Sequence, residues 1–140
     1  MYVDEDTADF LQSVKTIAVV GLSDDPSKDS YRVASYLQAQ GYEVIPVNPF
    51  VDTVLGRPAK ASLLDIEGPV DLVDVFRKPE EIPAIVADAI AAGARGIWLQ
   101  APGAEELARE KGLFVTSNRC LMVEHRRLLG HSAHIGESGN

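Results

Sequence analysis

The first group of residues that could perform chemistry lies in a loop after a short apolar run. Gly21 opens this loop, and Ser23, Lys28, Ser30 and Arg32 follow it. A glycine allows a tight turn and a close approach of the backbone to a ligand. Hydroxyl groups, cations and the free N–H groups of a following helix all favour an anion. The spacing predicts a phosphate or pyrophosphate site; the alternative is an ordinary strand-to-helix loop with solvated charges.

Two standard nucleotide-binding motifs are absent from this sequence. A dinucleotide fingerprint needs G-x-G-x-x-G at the first loop, where this chain has Gly21-x-Ser23-x-x-Pro26. It also needs an acidic residue after the second strand, where this chain has Asn48 and Pro49. The P-loop pattern G-x-x-x-x-G-K-[ST] does not occur. These absences disfavour standard NAD recognition and a P-loop nucleotide hydrolase.

Candidates for catalysis or metal binding are isolated in the sequence. His131 and His134 have the spacing of metal ligands, but no set of cysteines or carboxylates accompanies them, so we expect no metal site. No Ser–His–Asp arrangement is recognisable, and we expect no catalytic residues. Asp74 is a polar residue inside an apolar run. It is either a buried carboxylate that faces a ligand or a cap for a neighbouring loop.

The single cysteine, Cys120, has two interpretations. It follows Arg119 and precedes a predicted helix, and both features favour the thiolate form. On that basis Cys120 is a candidate redox thiol that forms a mixed disulfide with a thiol ligand. The alternative is a small residue that packs under the helix.

These candidate residues are separated by alternating strand and helix patterns. Short apolar runs predict five strands at residues 16–20, 44–47, 72–76, 96–99 and 113–115. Helical spacing occupies residues 31–40, 82–90, 104–111 and 122–129, and a further amphipathic segment surrounds Phe10, Leu11 and Val14. Strands that alternate with helices predict an α/β fold, a Rossmann-like doubly wound parallel sheet of order 3-2-1-4-5. The least regular region is 48–64.

Length and charge limit the classes of protein that this chain can represent. The 140 residues predict a single domain, with a core at 15–129 and a tail at 130–140. The 13 Lys and Arg against 21 Asp and Glu give a net charge of −8, which disfavours nucleic-acid binding. No apolar run is long enough to span a membrane, and the N-terminus is acidic, unlike a signal peptide. We therefore expect a soluble cytoplasmic protein; its oligomeric state is left open.

Four motifs in order resemble a known family. They occupy residues 17–33, 41–49, 70–77 and 118–120. Together they resemble the CoA-binding domain family, in particular small stand-alone proteins related to the N-terminal domain of the succinyl-CoA synthetase α subunit. The resemblance covers about residues 15 to 129 and implies a Rossmann-like fold that holds the ADP part of coenzyme A on the first loop.

The resemblance also implies roles for individual residues. Gly21, Leu22 and Ser23 would contact the pyrophosphate or ribose, and Asn48 and Pro49 would contribute the loop after the second strand. Val75, Phe76 and Arg77 would line the adenine and phosphate side, and Gln100 would close the end of the fourth strand. The synthetase has a lysine shortly after its second strand, which residues 50–52 lack. Lys28 or Arg77 would then supply that charge.

The expected function is non-catalytic binding of coenzyme A or an acyl-CoA. This chain has no domain that would carry the phosphorylated histidine of the synthetases. Two alternatives stay open: an enzyme that uses NAD(P) or another adenine nucleotide, and an interaction protein that has kept the fold and lost the ligand.

Overall fold

A parallel five-stranded sheet forms the centre of the protein. The computed structural model describes residues 3–100, 104–117 and 119–130. Among these residues the strands in chain order are β1 (Thr16–Val20), β2 (Glu43–Val47), β3 (Thr53–Val54), β4 (Arg57–Pro58), β5 (Leu72–Val75), β6 (Gly96–Leu99) and β7 (Phe114–Ser117). β3 and β4 form a separate hairpin, and the other strands build the sheet. The α/β class with a parallel sheet is confirmed.

Helices cover the two faces of the sheet. They are α1 (Asp4–Ser13), α2 (Asp29–Ala39), α3 (Ile82–Ala91), α4 (Glu105–Glu110) and α5 (Leu121–His125), with a π-helical turn at Arg126–Gly130 and 3-10 turns at Leu63–Asp65 and Pro79–Glu81. Side chains alternate along each strand, so two apolar clusters form. One cluster packs under α1, α2 and α5, and we call this the α2-side face. The other packs under α3 and α4, and we call it the α3-side face.

The predicted strand order 3-2-1-4-5 is wrong. The observed order is β2-β1-β5-β6-β7, which is 2-1-3-4-5 when only the sheet strands are counted. Lys60 occupies the outer edge of β2, because its N–H donates to the Pro46 carbonyl and its carbonyl accepts from the Asn48 N–H. The third strand of the sheet therefore pairs with the free side of β1. Pro46 lacks an N–H and is typical of an edge strand, a signal that the prediction did not use.

The irregular region 48–64 forms the β3–β4 hairpin and the 3-10 turn Leu63–Asp65. Leu55 and Gly56 connect the two strands with φ angles of 54° and 76°. Positive φ at both central positions is the geometry that a tight two-residue hairpin turn requires. The segment crosses from β2 to β5 and places Leu63 in the cluster of the α3-side face.

Among the described residues, no helix combines the length and apolar character that a membrane span needs.

Candidate functional site

The loops at the carboxyl ends of β1, β2 and β5 lie against one another. The Gly21 N–H donates to the Val47 carbonyl at 2.8 Å, and the Phe76 N–H donates to the Val20 carbonyl at 2.8 Å. The sheet order reverses between β1 and β5, and ligands bind beyond such a reversal in open parallel sheets. The candidate site is therefore built around Gly21, Phe76 and the residue that follows, Arg77.

A cavity of about 210 Å³ opens on one side of this junction. The predicted site residues that line it are Gly21, Asn48, Pro49 and Arg77. Its far wall comes from the 3-10 turn around Leu63 and from α3. This cavity, which we call the first cavity, lies at the α3-side face.

A second cavity, of about 460 Å³, lies beside the first and is lined by Phe76, Arg77, Lys78, Glu81 and Gln100. Arg77 and Glu81 line both cavities. The Arg77 Nε and Nη2 atoms donate to Glu81 Oε1 at 3.0 and 2.8 Å. The Arg77–Glu81 ion pair therefore lies between the two cavities. Arg77, which we expected to bind a phosphate, already has a carboxylate partner.

Hydrogen bonds within the first loop hold it in a defined shape. The Ser23 N–H donates to Ser30 Oγ at 3.0 Å, and Ser23 Oγ accepts from the Asp25 N–H at 3.0 Å. Asp25 in turn accepts from Ser27, and the backbone N–H of Ser27 lowers the pKa of this exposed carboxyl. Ser23 and Ser30, predicted as anion ligands, thus stabilise the loop, and the Ser23 hydroxyl still carries a proton that it can donate.

The beginning of α2 has an open N-terminus. Lys28 is the N-cap residue, and no side chain in the described part of the chain caps the helix. Pro26 and Lys28 are exposed. Arg32 is not a free cation, because its Nη1 donates to the Ser27 carbonyl at 2.8 Å and its Nη2 pairs with Asp29. Lys28 is therefore the better source of positive charge on this loop.

Several predicted site residues support the loops through buried side chains or side-chain hydrogen bonds. The Leu22 side chain is fully buried in the cluster of the α2-side face, and Val75 is buried in that of the α3-side face. Asn48, which also lines the first cavity, bonds to the backbone through both ends of its amide: Nδ2 donates to the Leu22 carbonyl at 3.0 Å and Oδ1 accepts from the Phe50 N–H at 2.9 Å. These residues position the backbone around Gly21.

Gln100 connects the second cavity to the buried sheet. Its Nε2 atom donates to Asp74 Oδ1 at 3.1 Å. Asp74 has no exposed surface, and burial raises the pKa of its carboxyl to about 8. Of the two interpretations of Asp74, the structure favours the buried carboxylate, whose partner is Gln100 and not the N–H groups of a loop.

Cys120 is half-buried and packs against the cluster of the α2-side face. The neighbouring Arg119 guanidinium pairs with Glu124 at 3.6 Å, and the Arg119 carbonyl accepts from Trp98 Nε1 at 3.0 Å. This setting favours the packing interpretation, and the mixed disulfide stays a prediction. Asn118, His131, His134 and the tail after residue 130 lie outside the described residues.

The sequence analysis missed two acidic residues of the site. Glu81 and Asp88 both line the first cavity. The signal for Glu81 was its position four residues after Arg77, a spacing at which opposite charges meet in a helical turn. Asp88 carries no comparable signal, because only the crossing of α3 behind the sheet brings it to the cavity.

A larger groove, of about 690 Å³, lies at the opposite end of the sheet. It is lined by residues that precede or begin the strands, such as Lys15 and Glu43, and by His125. None of the predicted site residues lines it. The carboxyl edge remains the candidate site because the loops that carry the predicted ligands converge there.

Comparison with known proteins assigns the chain to a family. Residues 15–126 match the CoA binding domain. The chain is 41% identical over 121 residues to the uncharacterized protein YneT of Bacillus subtilis, covering 84% of this chain and 90% of YneT. It is 31% identical over 103 residues to the acetate–CoA ligase (ADP-forming) II subunit alpha of Pyrococcus furiosus, covering 73% of this chain but only 22% of that subunit.

A solved structure supports the same assignment. A hypothetical protein from Pyrococcus horikoshii superposes with a TM-score of 0.88 at 43% identity, covering 92% of this chain and 94% of that one. The family match extends over most of the chain and includes the loops after β1, β2, β5 and β6. The protein therefore belongs to the CoA binding domain family.

Proposed function

We propose that the protein binds coenzyme A, or an acyl-CoA, without catalysing a reaction on it. The ADP part would lie over the carboxyl ends of β1 and β5, with the pyrophosphate at the first loop. The observation that carries this proposal is the close approach of Gly21 to Phe76 and Arg77, with a cavity on each side of Arg77. Only a residue without a side chain leaves room for backbone and ligand together at this place.

The polar groups around the first loop suit a pyrophosphate. The uncapped N-terminus of α2 offers backbone N–H groups and the positive end of the helix dipole. The Ser23 hydroxyl adds a donor, and Lys28 adds charge. Two carboxylates, Asp24 and Asp25, lie on the same loop, and a third, Asp29, belongs to the first residue of α2. Binding would therefore depend on directed hydrogen bonds more than on net charge.

The family relationship supports the choice of coenzyme A over other nucleotides. The similar ligase subunit is named for a reaction that uses CoA, and the region it shares with this chain covers 103 residues. The chain has neither the glycine pattern nor the acidic residue that standard NAD recognition needs. An adenine-nucleotide enzyme is the competing interpretation, and the same experiment separates the two.

Isothermal titration of the purified protein with CoA, NAD and ADP tests the proposal. We expect CoA to bind more tightly than either comparator. Ser23→Ala and Arg77→Ala should each weaken CoA binding, and Arg95→Ala is the matched control. Arg95 pairs with Asp71 near the start of the strands, so its loss changes the charge equally at the opposite end of the sheet.

The outcomes of this titration are distinct. Equal weakening by Arg77→Ala and Arg95→Ala would show a general charge effect and contradict the site. No heat with CoA at about 1 mM, which corresponds to roughly −4 kcal/mol, would refute CoA binding. Preference for NAD would favour the nucleotide-enzyme alternative.

The role of Cys120 is tested separately by mass spectrometry. The protein is incubated with CoA disulfide, so that thiol–disulfide exchange at Cys120 releases one CoA thiol and leaves one CoA attached. A mass increase that Cys120→Ser abolishes would support the redox role. No adduct on Cys120 would refute it and leave the packing role.

A further inference from the structure

A carboxyl group lies inside the buried sheet near the candidate site. Asp74 is the third residue of β5, and its side chain has no exposed surface. Because side chains alternate along a strand, Asp74 shares the α2-side face with Leu72. Its neighbours in register are Val19 on β1 and Trp98 on β6, both fully buried. An ionised carboxyl loses its hydration here, and the neighbouring strands offer no cation in exchange.

The Asp74 carboxyl has one side-chain partner, Gln100, and the backbone N–H of Val75 also favours its ionised form. Gln100 Nε2 donates to Oδ1 at 3.1 Å, whereas Oδ2 has no hydrogen-bond partner within the described residues. Burial raises the pKa of the Asp74 carboxyl to about 8, so the protonated form predominates at neutral pH. A protonated carboxyl has an O–H group, which requires an acceptor.

Charged groups nearby do not provide that acceptor. The titratable and charged side chains of α1, α2 and residues 119–127, together with Tyr42 between α2 and β2, are Asp4, Glu5, Asp6, Asp9, Asp29, Tyr31, Arg32, Tyr36, Tyr42, Arg119, Cys120, Glu124, His125, Arg126 and Arg127. None of them is hydrogen-bonded or ion-paired to Asp74 in the part of the chain that the structure describes. Arg77, Lys78 and Glu81 lie on the cavity side of Gln100.

The Gln100 side chain joins Asp74 to the second cavity. It is half-buried and lines that cavity together with Arg77 and Lys78. A primary amide has a donor end, the NH₂ group, and an acceptor end, the carbonyl oxygen. Whichever end is bonded to Asp74, the other end is left for a ligand in the cavity.

We propose that Asp74 is a positioning residue that determines which end of the Gln100 amide faces the second cavity. Ionised Asp74 can only accept a hydrogen bond, so it holds the NH₂ end of Gln100 and leaves the carbonyl oxygen for the cavity; the distance of 3.1 Å between Nε2 and Oδ1 shows that the two side chains are within reach. Protonated Asp74 donates its O–H to that oxygen after a half-turn of the amide, and the NH₂ group then faces the cavity. Together with Arg77 and Lys78, the NH₂ group binds an oxygen acceptor of the ligand.

This inference rests on the proposed function for the identity of the ligand. CoA carries oxygen acceptors in its phosphate groups and in the amide carbonyls of its pantetheine arm. Above the pH at which Asp74 ionises, the Gln100 carbonyl would face these oxygens and repel them. CoA affinity should therefore fall as the pH rises through the titration of Asp74.

The first test is the pH dependence of CoA affinity, measured by isothermal titration from pH 6.5 to pH 9.5. The Cys120→Ser background removes the single thiol of the chain. We expect the affinity of this protein to fall about five-fold, as the loss of one hydrogen bond predicts. In Asp74→Asn the fall should disappear, and Gln100→Leu should show the lower affinity at both pH values. Asp74→Leu is the second variant if Asp74→Asn does not fold.

Ionisation of CoA itself affects every variant equally, so the comparison isolates Asp74. The same pH dependence in Asp74→Asn and in the parent would overturn the inference. An unchanged affinity at pH 6.5 in Gln100→Leu would also overturn it, because Gln100 would then not contact the ligand.

The second test needs no ligand. The side-chain amide resonances of Gln100, assigned by their loss in Gln100→Leu, are followed by ¹⁵N NMR over the same pH range. We expect them to titrate in the Cys120→Ser protein and to stay constant in Asp74→Asn. A Gln100 amide that does not titrate overturns the inference even if CoA binds. A titrating amide in a protein that binds no CoA supports the role of Asp74 and refutes the proposed ligand.

Discussion

A Cβ atom added to Gly21 would lie 2.4 Å from the carbonyl oxygen of Phe76. The first loop therefore packs directly on the backbone that follows β5, and the φ angle of Gly21 is +86°. Both facts require glycine at this position, one through space and the other through backbone conformation. The contact joins the two strands between which the sheet order reverses.

We predict that Gly21→Ala destabilises the protein more than Gly41→Ala does. Gly41 has a φ of +100° but no atom within 4 Å of its added Cβ, so Gly41→Ala tests the backbone conformation alone. Placing an L-residue in this left-handed conformation costs about 1–2 kcal/mol of stability. Gly21→Ala should add about 1–3 kcal/mol from the steric clash. Urea unfolding of both variants measures the difference, and equal losses would contradict the contact with Phe76.

The stability of the protein should fall with rising pH because of Asp74. Burial raises the pKa of this carboxyl to about 8 in the folded state, far above its value in the unfolded chain. The folded state then binds the extra proton between those two values, so stability present at about pH 4 is lost as the pH rises through 8. For a single proton, the free energy of unfolding can change by at most about 1.4 kcal/mol per pH unit.

Asp74→Asn removes this titration and keeps the size of the side chain. Urea unfolding of the variant and of the unmodified protein from pH 5 to pH 9 should give free energies of unfolding that diverge, with the variant increasingly more stable. Curves that stay parallel over this range would show that Asp74 does not titrate as described.

His125 should give the stability of the protein the opposite pH dependence, a loss of stability as the pH falls. Its Nδ1 atom is 2.8 Å from the Tyr36 hydroxyl, and the ring of Tyr42 contacts it edge-on at 5.6 Å. Burial lowers the pKa of His125. The unfolded chain then binds the proton first, so the stabilisation is complete above pH 6.5 and is lost as the pH falls through the folded-state pKa.

The contribution of His125 is best measured in the Asp74→Asn background, where the opposing titration is absent. Acidification from pH 7.5 to pH 5 should lower the free energy of unfolding. Adding His125→Gln should reduce this dependence, and Tyr36→Phe, which leaves the imidazole in place, should retain it. An identical pH dependence with and without His125 would contradict the prediction.

Glu81→Gln should increase the affinity for CoA. The Glu81 carboxylate pairs with Arg77 and also lines both cavities, so it repels an anionic ligand and competes for its cation. Glu80→Gln changes the same charge in the same 3-10 turn and is the matched control. An exposed ion pair contributes about 0.2–1 kcal/mol, so a gain of roughly two- to five-fold is expected.

The gain from Glu81→Gln should shrink at high ionic strength, because screening weakens interactions between exposed charges. Titration at low and high salt measures this. Equal gains in the two variants would point to net charge instead of the Arg77 partnership. A loss of affinity in Glu81→Gln would show that Glu81 orients Arg77 for the ligand.

The local sequence pattern was sufficient to predict the main strands and helices of this fold. The apolar runs at 16–20, 44–47 and 96–99 became β1, β2 and β6 within a residue, and the helical spacing around 82–90 became α3. Gly21 could be predicted as part of the site because a glycine directly after a buried strand allows a tight turn and a close approach of the backbone. These features depend on residues close in the chain, whose periodicity reports directly on which face is buried.

Contacts between distant residues decided three features of the site. These are the strand order, the position of Arg77 between the two cavities, and the pairing of Asp74 with Gln100. The β3–β4 hairpin returns the chain to β2, where Lys60 pairs with the outer edge of that strand. Because this edge is occupied, β5 pairs with the other side of β1. Asp74 and Gln100 are 26 residues apart and meet because β5 and β6 are neighbours in the sheet. The sequence by itself determined which segments are strands, which are helices and which loop can approach an anion. Only the tertiary structure decided which loops meet and which polar groups are already paired, because hydrogen bonds and burial between distant segments leave no periodic trace in the chain.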